Sequence, residues 1–284
     1  MVKCQIFILH WASSAHLYPN FFTAEAVRSI RELTEGSYEL IVVDNYSDDT
    51  AFKDLKDRLP SNVEIIRNDK SSACVASGRN KIFSLVNADY FAMLHTDIRV
   101  SRYWLTSLLA DLDKAEKRFS KPCVISPLHV PYVLFDEKLC NRFSAHFTVN
   151  SLEALAAYCG KHGIPFKDGV VDCGLQKPFT EDGHQLMIFA ASKWFRDTVG
   201  EWDELYEGAN YDDCDMGLTA ITKGCKNLQS QTVFLQHLQG ISYGFGHLQD
   251  SGLNQQRFIE KWGKLMFDEL ATGTLWTRLH RENP

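Results

Sequence analysis

The chain has 284 residues, 45% of them hydrophobic, and a formal net charge of −6, enough for one large or two small domains with a full core. The charge is mild and spread out with no Lys/Arg stripe, which argues against nucleic acid as a partner. No run approaches the roughly 18 apolar residues of a membrane span, and the scattered cysteines form no CxxC pair, so the expectation is a soluble, cytoplasmic protein whose thiols are reduced core residues.

In chain order, short β-rich runs alternate with helical stretches. The opening "MVKCQIFILHW" lacks a small-residue cleavage site and reads better as a first strand than as a signal peptide. "CQIFIL" (4–9) is a buried-strand run, "FFTAEAVRSIRELTEG" (21–36) has helical spacing closing on Gly36, and "YELIVVD" (38–44) is a second strand. A helix around 50–59, a strand at 63–67, a helix around 76–87, the strand "DYFAML" (89–94) and a helix over 103–117 follow. After about residue 127 the alternation breaks, with one helix in "SLEALAAYCGKHG", an irregular stretch through 183, a strand at 184–190 and a short helix ending near Gly200.

This β-α alternation predicts an α/β fold: a mostly parallel sheet flanked by helices on both faces, with ligands outside the carboxyl ends of the strands. The residues just after those strands are "HWASS", "DNYSDD", "NDKSS" and "HTD". Ser47 to Asp49 suit an Asx-turn that caps the next helix. Asp44, at the end of a buried strand, stands where a ligand's N–H or hydroxyl groups would arrive. His95 and Asp97 are two apart, so on an extended segment their side chains point the same way and can meet one cation. A nitrogen ligand tilts the choice from Mg²⁺ toward Mn²⁺ or another transition ion. The plainer alternative makes Asp97 a cap for the helix from 102 onward. Asp212, Asp213 and Asp215 open a helix patterned Met216, Leu218, Ile221 and ended by Gly224. The helix dipole favours acids there, but three in four residues exceed what capping requires.

In order, these motifs resemble the family 2 glycosyltransferases of the GT-A fold. "ELIVVDNYSDDT" is similar to that family's "VVDNGSTDGT", "IRNDKSSACVASGRNKIF" to "RNxxNxGxxxARNxG", and "YFAMLHTDI" to "YxxxLDxDT". "GHQLMIFAASKWFRDTVGEWDE" resembles "GAFLMIRRxxFxxVGGFDE", "YDDCDMGLTAITKG" resembles "xEDxDLxxRxxxxG", and a His-containing strand followed by "FIEKWG" completes the series. Ordered recurrence is far more specific than any one motif.

The resemblance implies a GT-A, Rossmann-like single domain with an elaborated acceptor-side half. Residues 1–127 would form the nucleotide-sugar-binding half, 128–250 the acceptor half with an insertion at 128–183, and 251–284 a C-terminal helical segment. It implies inverting, non-processive transfer of a sugar from a UDP-, dTDP- or GDP-sugar to a carbohydrate or glycoconjugate acceptor. A divalent cation assists, Mn²⁺ first and Mg²⁺ second. Position by position, Leu9, His10, Trp11, Asp44 and Asn45 would hold base and ribose, with Arg79, Asn80 and Thr96 around the donor. Asp97 matches the metal-binding last acid of D-x-D and Asp213 the general base, with Asp212 and Asp215 beside it. His237 matches a histidine near metal and diphosphate, and His247 competes for that role. The first acid of D-x-D is here His95, which removes a charge beside the diphosphate and alters cation preference. The aromatic-rich insertion would recognise the acceptor. Two alternatives share these observations: a catalytically silent nucleotide-sugar or glycan binder, and a sugar nucleotidyltransferase. The latter needs a Gly-rich first loop, and "HWASSAH" contains no glycine.

Overall fold

A computed structural model describes residues 4–69, 74–135, 148–173, 179–180, 186–239 and 252–282. The apolar runs become strands β1 (Cys4–His10), β2 (Tyr38–Asp44), β3 (Glu64–Arg67) and β4 (Tyr90–His95). Helices α1 (Tyr18–Leu33), α2 (Asp49–Arg58) and α3 (Val75–Leu85) connect them, and α4 (Trp104–Phe119) follows the two-residue β5 (Ile98–Arg99). Helix α1 starts three residues before the expected 21 and ends before Gly36. Pro19 sits in its first turn, where a missing N–H costs nothing, and the chain is already extended at Thr34. The Asp48 side chain caps α2 by accepting from the Ala51 N–H, as the turn residues predicted.

The second half adds β6 (Cys123–Val130), the short pieces β7 (Tyr132–Val133), β8 (Thr148–Val149), β9 (Phe166–Lys167) and β10 (Val170–Val171), and α5 (Leu152–Lys161). Then come β11 (Phe189–Ser192), α6 (Lys193–Val199), α7 (Asp212–Thr222), β12 (Lys226–His237), α8 (Leu253–Trp262), α9 (Lys264–Thr272) and α10 (Leu275–Glu282). The strand expected at 184–190 is displaced to 189–192. The Leu186 N–H is committed to the Asp213 carbonyl at 3.1 Å instead of to a ladder. Strand β6 runs across the 127/128 division and extends the sheet beyond the point where alternation was expected to stop.

Eight strands form one sheet in the order 3-2-1-4-11-6-12-5. β1 is parallel to β2 and to β4, while β11 is antiparallel to both β4 and β6, so β6 and its parallel neighbour β12 again point the way β4 does. The carboxyl ends of β1, β2, β4, β6 and β12 therefore share one edge. Side chains alternate across each strand. Ile6, Ile8, Ala92 and Leu94 pack with α1, α2 and α4, and Phe7, Phe91 and Met93 pack with α3, α6 and α7. Helices α8 and α10 close over the outer side of α7 through Phe258, Leu275, Trp276 and Leu279. The seven described cysteines are buried. Among the described residues, no helix is long and apolar enough to cross a membrane.

Candidate active site

The parallel register sets His10 beside Asp44, and the Asn45 N–H donates to the His10 carbonyl at 2.7 Å. The Asp44 carboxylate is fully buried. Its Oδ2 accepts from the Ser47 N–H at 3.3 Å and lies 3.4 Å from the Arg67 Nε, while its Oδ1 has no hydrogen-bond partner. Burial raises its proton affinity against the opposing pull of Ser47 and Arg67. A buried acceptor without a donor is costly and is the kind of atom a bound ligand satisfies. Asn45 is spent on the protein: its Nδ2 donates to the Cys74 carbonyl at 3.0 Å, and its Oδ1 accepts from Asn68 at 2.9 Å. His10 donates or accepts at Nδ1 with the Thr23 hydroxyl at 2.9 Å, and burial lowers its pKa to about 3, leaving it neutral. Leu9 and Trp11 are half-buried beside it.

The second group grows from the β4–β5 connection. Thr96 and Asp97 form a turn rather than a continuing strand, so His95 and Asp97 converge through the turn and not through strand alternation. β5 then pairs with the end of β12, His237 opposite Ile98, and the Leu238 N–H donates to the Asp97 carbonyl at 3.1 Å. That pairing brings three distant chain segments together. Ligand atoms of His95, Asp97 and His237 all lie within 4.8 Å of one another, with His237 Nε2 3.5 Å from Asp97 Oδ1. Burial alone would raise the Asp97 carboxyl, but the charge and hydrogen bond of His237, with His95, hold it down at about 2. Burial and the His237 neighbour lower His95 to about 3, so it is a neutral imidazole with a lone pair to give. Asp97 is not the cap of α4, whose N-cap is Tyr103 with no side-chain bond. Thr96 is buried in the same turn.

These residues fit a divalent cation on their own chemistry. Asp97 is a buried carboxylate whose ion-pair partner is a histidine rather than Lys or Arg, and two imidazole nitrogens complete a donor set suited to a transition ion. His129, at the end of β6, joins the group with its Nδ1 3.3 Å from His237 Nδ1. The sequence reading missed it, although "VISPLHV" carries a histidine at its carboxyl end much as "YFAMLH" does.

The third group sits at the start of α7. Asn210 and Tyr211 enter the helix with φ of 90° and 65°, the left-handed region that side chains other than Gly disfavour. Buried Asp212 accepts from Arg79 Nη1 at 2.8 Å, and the guanidinium lies 4.2 Å over the Trp202 ring. Asn80 is likewise engaged: its amide spans the Trp202 carbonyl and Glu204 and accepts from the Trp202 N–H at 2.7 Å. Arg79 and Asn80 thus face the 202–212 segment here. Asp213 is half-buried, and its Oδ1 accepts from the Cys214 N–H at 2.9 Å. Burial and the Asp212 charge raise its pKa, and Arg79 opposes them. Because Arg79 also lowers the His95 pKa, the cation group and the acid group both lie within its electrostatic reach. Asp215 turns away from both, accepting from the Tyr206 hydroxyl at 3.1 Å, Trp262 Nε1 at 2.7 Å and Lys261 Nζ at 2.9 Å. His247 lies outside the described residues.

Residues 22–134 match the family model described as Glycosyl transferase family 2. No curated protein matches the sequence. Among solved structures, "Crystal structure of GalNAc-T7 with UDP, GalNAc and Mn2+" aligns at a TM-score of 0.57 and 13% identity, covering 99% of this chain and 55% of that one. The chain therefore spans about half the length of that protein. "Crystal structure of S. aureus TarS 1-349" aligns at 0.46 and 12% identity, over 84% of this chain and 59% of that one. Residues 22–134 are thus similar to glycosyl transferase family 2, and the arrangement of sheet and helices is that of the GT-A fold.

Proposed function

We propose that the protein is an inverting, non-processive glycosyltransferase that moves a sugar from a nucleoside diphosphate donor to a hydroxyl acceptor with a divalent cation, Mn²⁺ before Mg²⁺. The observation that carries this reading is the group of half-buried His95 with buried Asp97 and His237 at the carboxyl edge of the sheet, the edge where open α/β sheets bind ligands. The solved GalNAc-T7 structure contains UDP and Mn²⁺, which supports the same ligand classes here. The unpartnered Asp44 Oδ1 would accept from the base or ribose, beside Leu9 to Trp11 and Asn45. Arg79, Asn80 and Thr96 would border the donor. A cation held by His95, Asp97 and His237 would supply positive charge to the diphosphate as it leaves.

Asp213 does the proton work. An acceptor hydroxyl oxygen attacks C1 of the sugar, its proton passes to the Asp213 carboxylate, and the bond from C1 to the diphosphate oxygen breaks on the opposite face. The anomeric centre inverts and the nucleoside diphosphate leaves with the bonding pair. Its raised pKa makes Asp213 a stronger base than an ordinary carboxylate. Residues 1–127 serve the donor and 128–250 the acceptor, with 128–183 as the acceptor-recognition segment and 251–284 as a bracing helical unit. The setting is cytoplasmic glycan assembly. The test is incubation with Mn²⁺ and a panel of UDP-, GDP- and dTDP-sugars. Slow hydrolysis of one donor is expected, and Asp213→Asn should cut acceptor-dependent turnover about 10²–10⁴-fold while nucleotide binding persists. Binding of every donor without turnover would leave a silent binder in its place.

A further inference from the structure

His237 uses both ring nitrogens, and the two face different neighbours. Nε2 lies 3.5 Å from Asp97 Oδ1, on the side where the ligand atoms of His95 and Asp97 converge. Nδ1 lies 3.3 Å from Nδ1 of His129, and the two rings stand nearly perpendicular, 79° apart with centroids at 4.6 Å. Two imidazole nitrogens at hydrogen-bond distance need one proton between them: one must donate and the other accept. The converging ligand atoms are those of His95, Asp97 and His237, so His129 stands behind His237 instead of in the ring of ligands.

The topology makes this placement firm. His129 is on β6 and His237 on β12, adjacent parallel strands in which Leu235 is opposite His129 and Gln236 opposite Val130. Gln236 also accepts from the Val133 N–H at 3.0 Å, pinning the chain just after β6 to the end of β12. A cation on His237 Nε2 requires a bare lone pair there, which places the ring proton on Nδ1. The acceptor that Nδ1–H then meets is His129.

We infer that His129 is a positioning residue for the cation site: its Nδ1 accepts the Nδ1–H of His237 and holds that ring in the tautomer and orientation that present Nε2 to a transition-metal dication. This rests on the cation reading of the site and is independent of whether a sugar is transferred. Metal-bound histidines commonly donate their second nitrogen to such an outer partner, whose loss typically costs 10–100-fold in metal affinity.

The test is calorimetric titration of the full chain with Co²⁺ and with Mn²⁺, without donor, alongside the visible spectrum of the Co²⁺ form. His129→Leu removes the acceptor and should weaken Co²⁺ binding about 10–100-fold and alter the spectrum. His129→Asn returns an acceptor oxygen near the position of Nδ1 and should restore most of the affinity. Equal losses in both variants, or none in His129→Leu, overturn the inference, as does a wild type that binds neither ion. A second measurement needs no variant. In the Zn²⁺-loaded wild type, nitrogen–proton correlation spectra of the imidazoles should show one metal-bound histidine protonated at Nδ1, and Nδ1 ligation at His237 would refute the assignment. Donor hydrolysis is read separately: His129-dependent Co²⁺ binding without hydrolysis supports this inference and removes the glycosyltransferase reading.

Discussion

At His95 a neutral imidazole occupies the position of the first acid in the D-x-D pattern, and the consequence is one of ion choice. Mg²⁺ prefers an octahedron of oxygens and dehydrates reluctantly, whereas imidazole nitrogen suits the later transition ions. With two nitrogens and one carboxylate in the group, Mn²⁺ and Co²⁺ should bind at least about tenfold more tightly than Mg²⁺. His95→Asp should narrow that gap in calorimetric titrations, and an unchanged ion preference would remove His95 from the ligand set. The acid group makes a second, pH-dependent prediction. A base must be deprotonated to act, so the raised Asp213 pKa moves the acid limb of kcat/KM above the ordinary carboxylate range of about 4. Burial is the larger cause and the Asp212 charge the next, so Asp212→Asn should move that limb to lower pH in a pH–rate profile. At this scale Asp97 and Asp213 stood out as candidates because each lies within a recognisable local pattern. His129 did not: Pro127 interrupts "VISPLHV", a proline argues against a strand interior, and with the alternation expected to break after about 127 no strand was expected to carry it. His95 and Asp97 were expected to meet through strand alternation, whereas the turn at 96–97 is what brings them together.

Among the elements, α3 is the one whose seating governs the proposed nucleotide side. It lies close over β1 and β2 because Gly78 has no side chain: a Cβ there would come 2.5 Å from Leu9 Cδ1 and 2.9 Å from Asn45 Cγ. Leu9 can swing aside. Asn45 cannot, because Cys74 and Asn68 hold its amide from two sides. Gly78→Ala gains up to about 1 kcal/mol of helix propensity, but overpacking against a pinned neighbour costs about 1–3 kcal/mol. A net loss on the order of 1 kcal/mol is expected by denaturant unfolding. Nucleotide affinity should fall with it, since Leu9 and Asn45 both border Asp44. A stabilised variant with unchanged nucleotide binding would contradict this account. The strands and helices of the first half were legible because each is a single apolar run or a single helical period bounded by polar residues. Pairing order was not, since nothing local in "FAAS" says that β11 inserts antiparallel between β4 and β6. That insertion is what sets β6 and β12 in the direction that delivers His129 and His237 to the active edge.

For the whole molecule, the question is how the proposed base on α7 is held in place relative to the proposed cation group at β4, β5 and β12. Helix α7 is clamped from two sides. Met216 and Ala220 pack toward the sheet with Phe189 and Trp202, while Leu218 and Ile221 pack outward against Phe258, Leu275 and Trp276. Asp215 ties the same helix to the C-terminal segment through Trp262 and Lys261. The C-terminal helices therefore brace the helix that carries Asp213, whereas His95, Asp97 and His237 are brought together by strand pairing. Phe258 is fully buried in that brace, so Phe258→Ala should cost about 3–5 kcal/mol and lower Tm on the order of 10 °C. Its effect should also divide by site. At a temperature where the variant is folded, Mn²⁺ affinity should match the wild type while acceptor-dependent turnover falls, because α7 loosens and the β4–β5–β12 corner does not. Parallel loss of both in calorimetry and turnover assays would mean that the two groups are held by one common support.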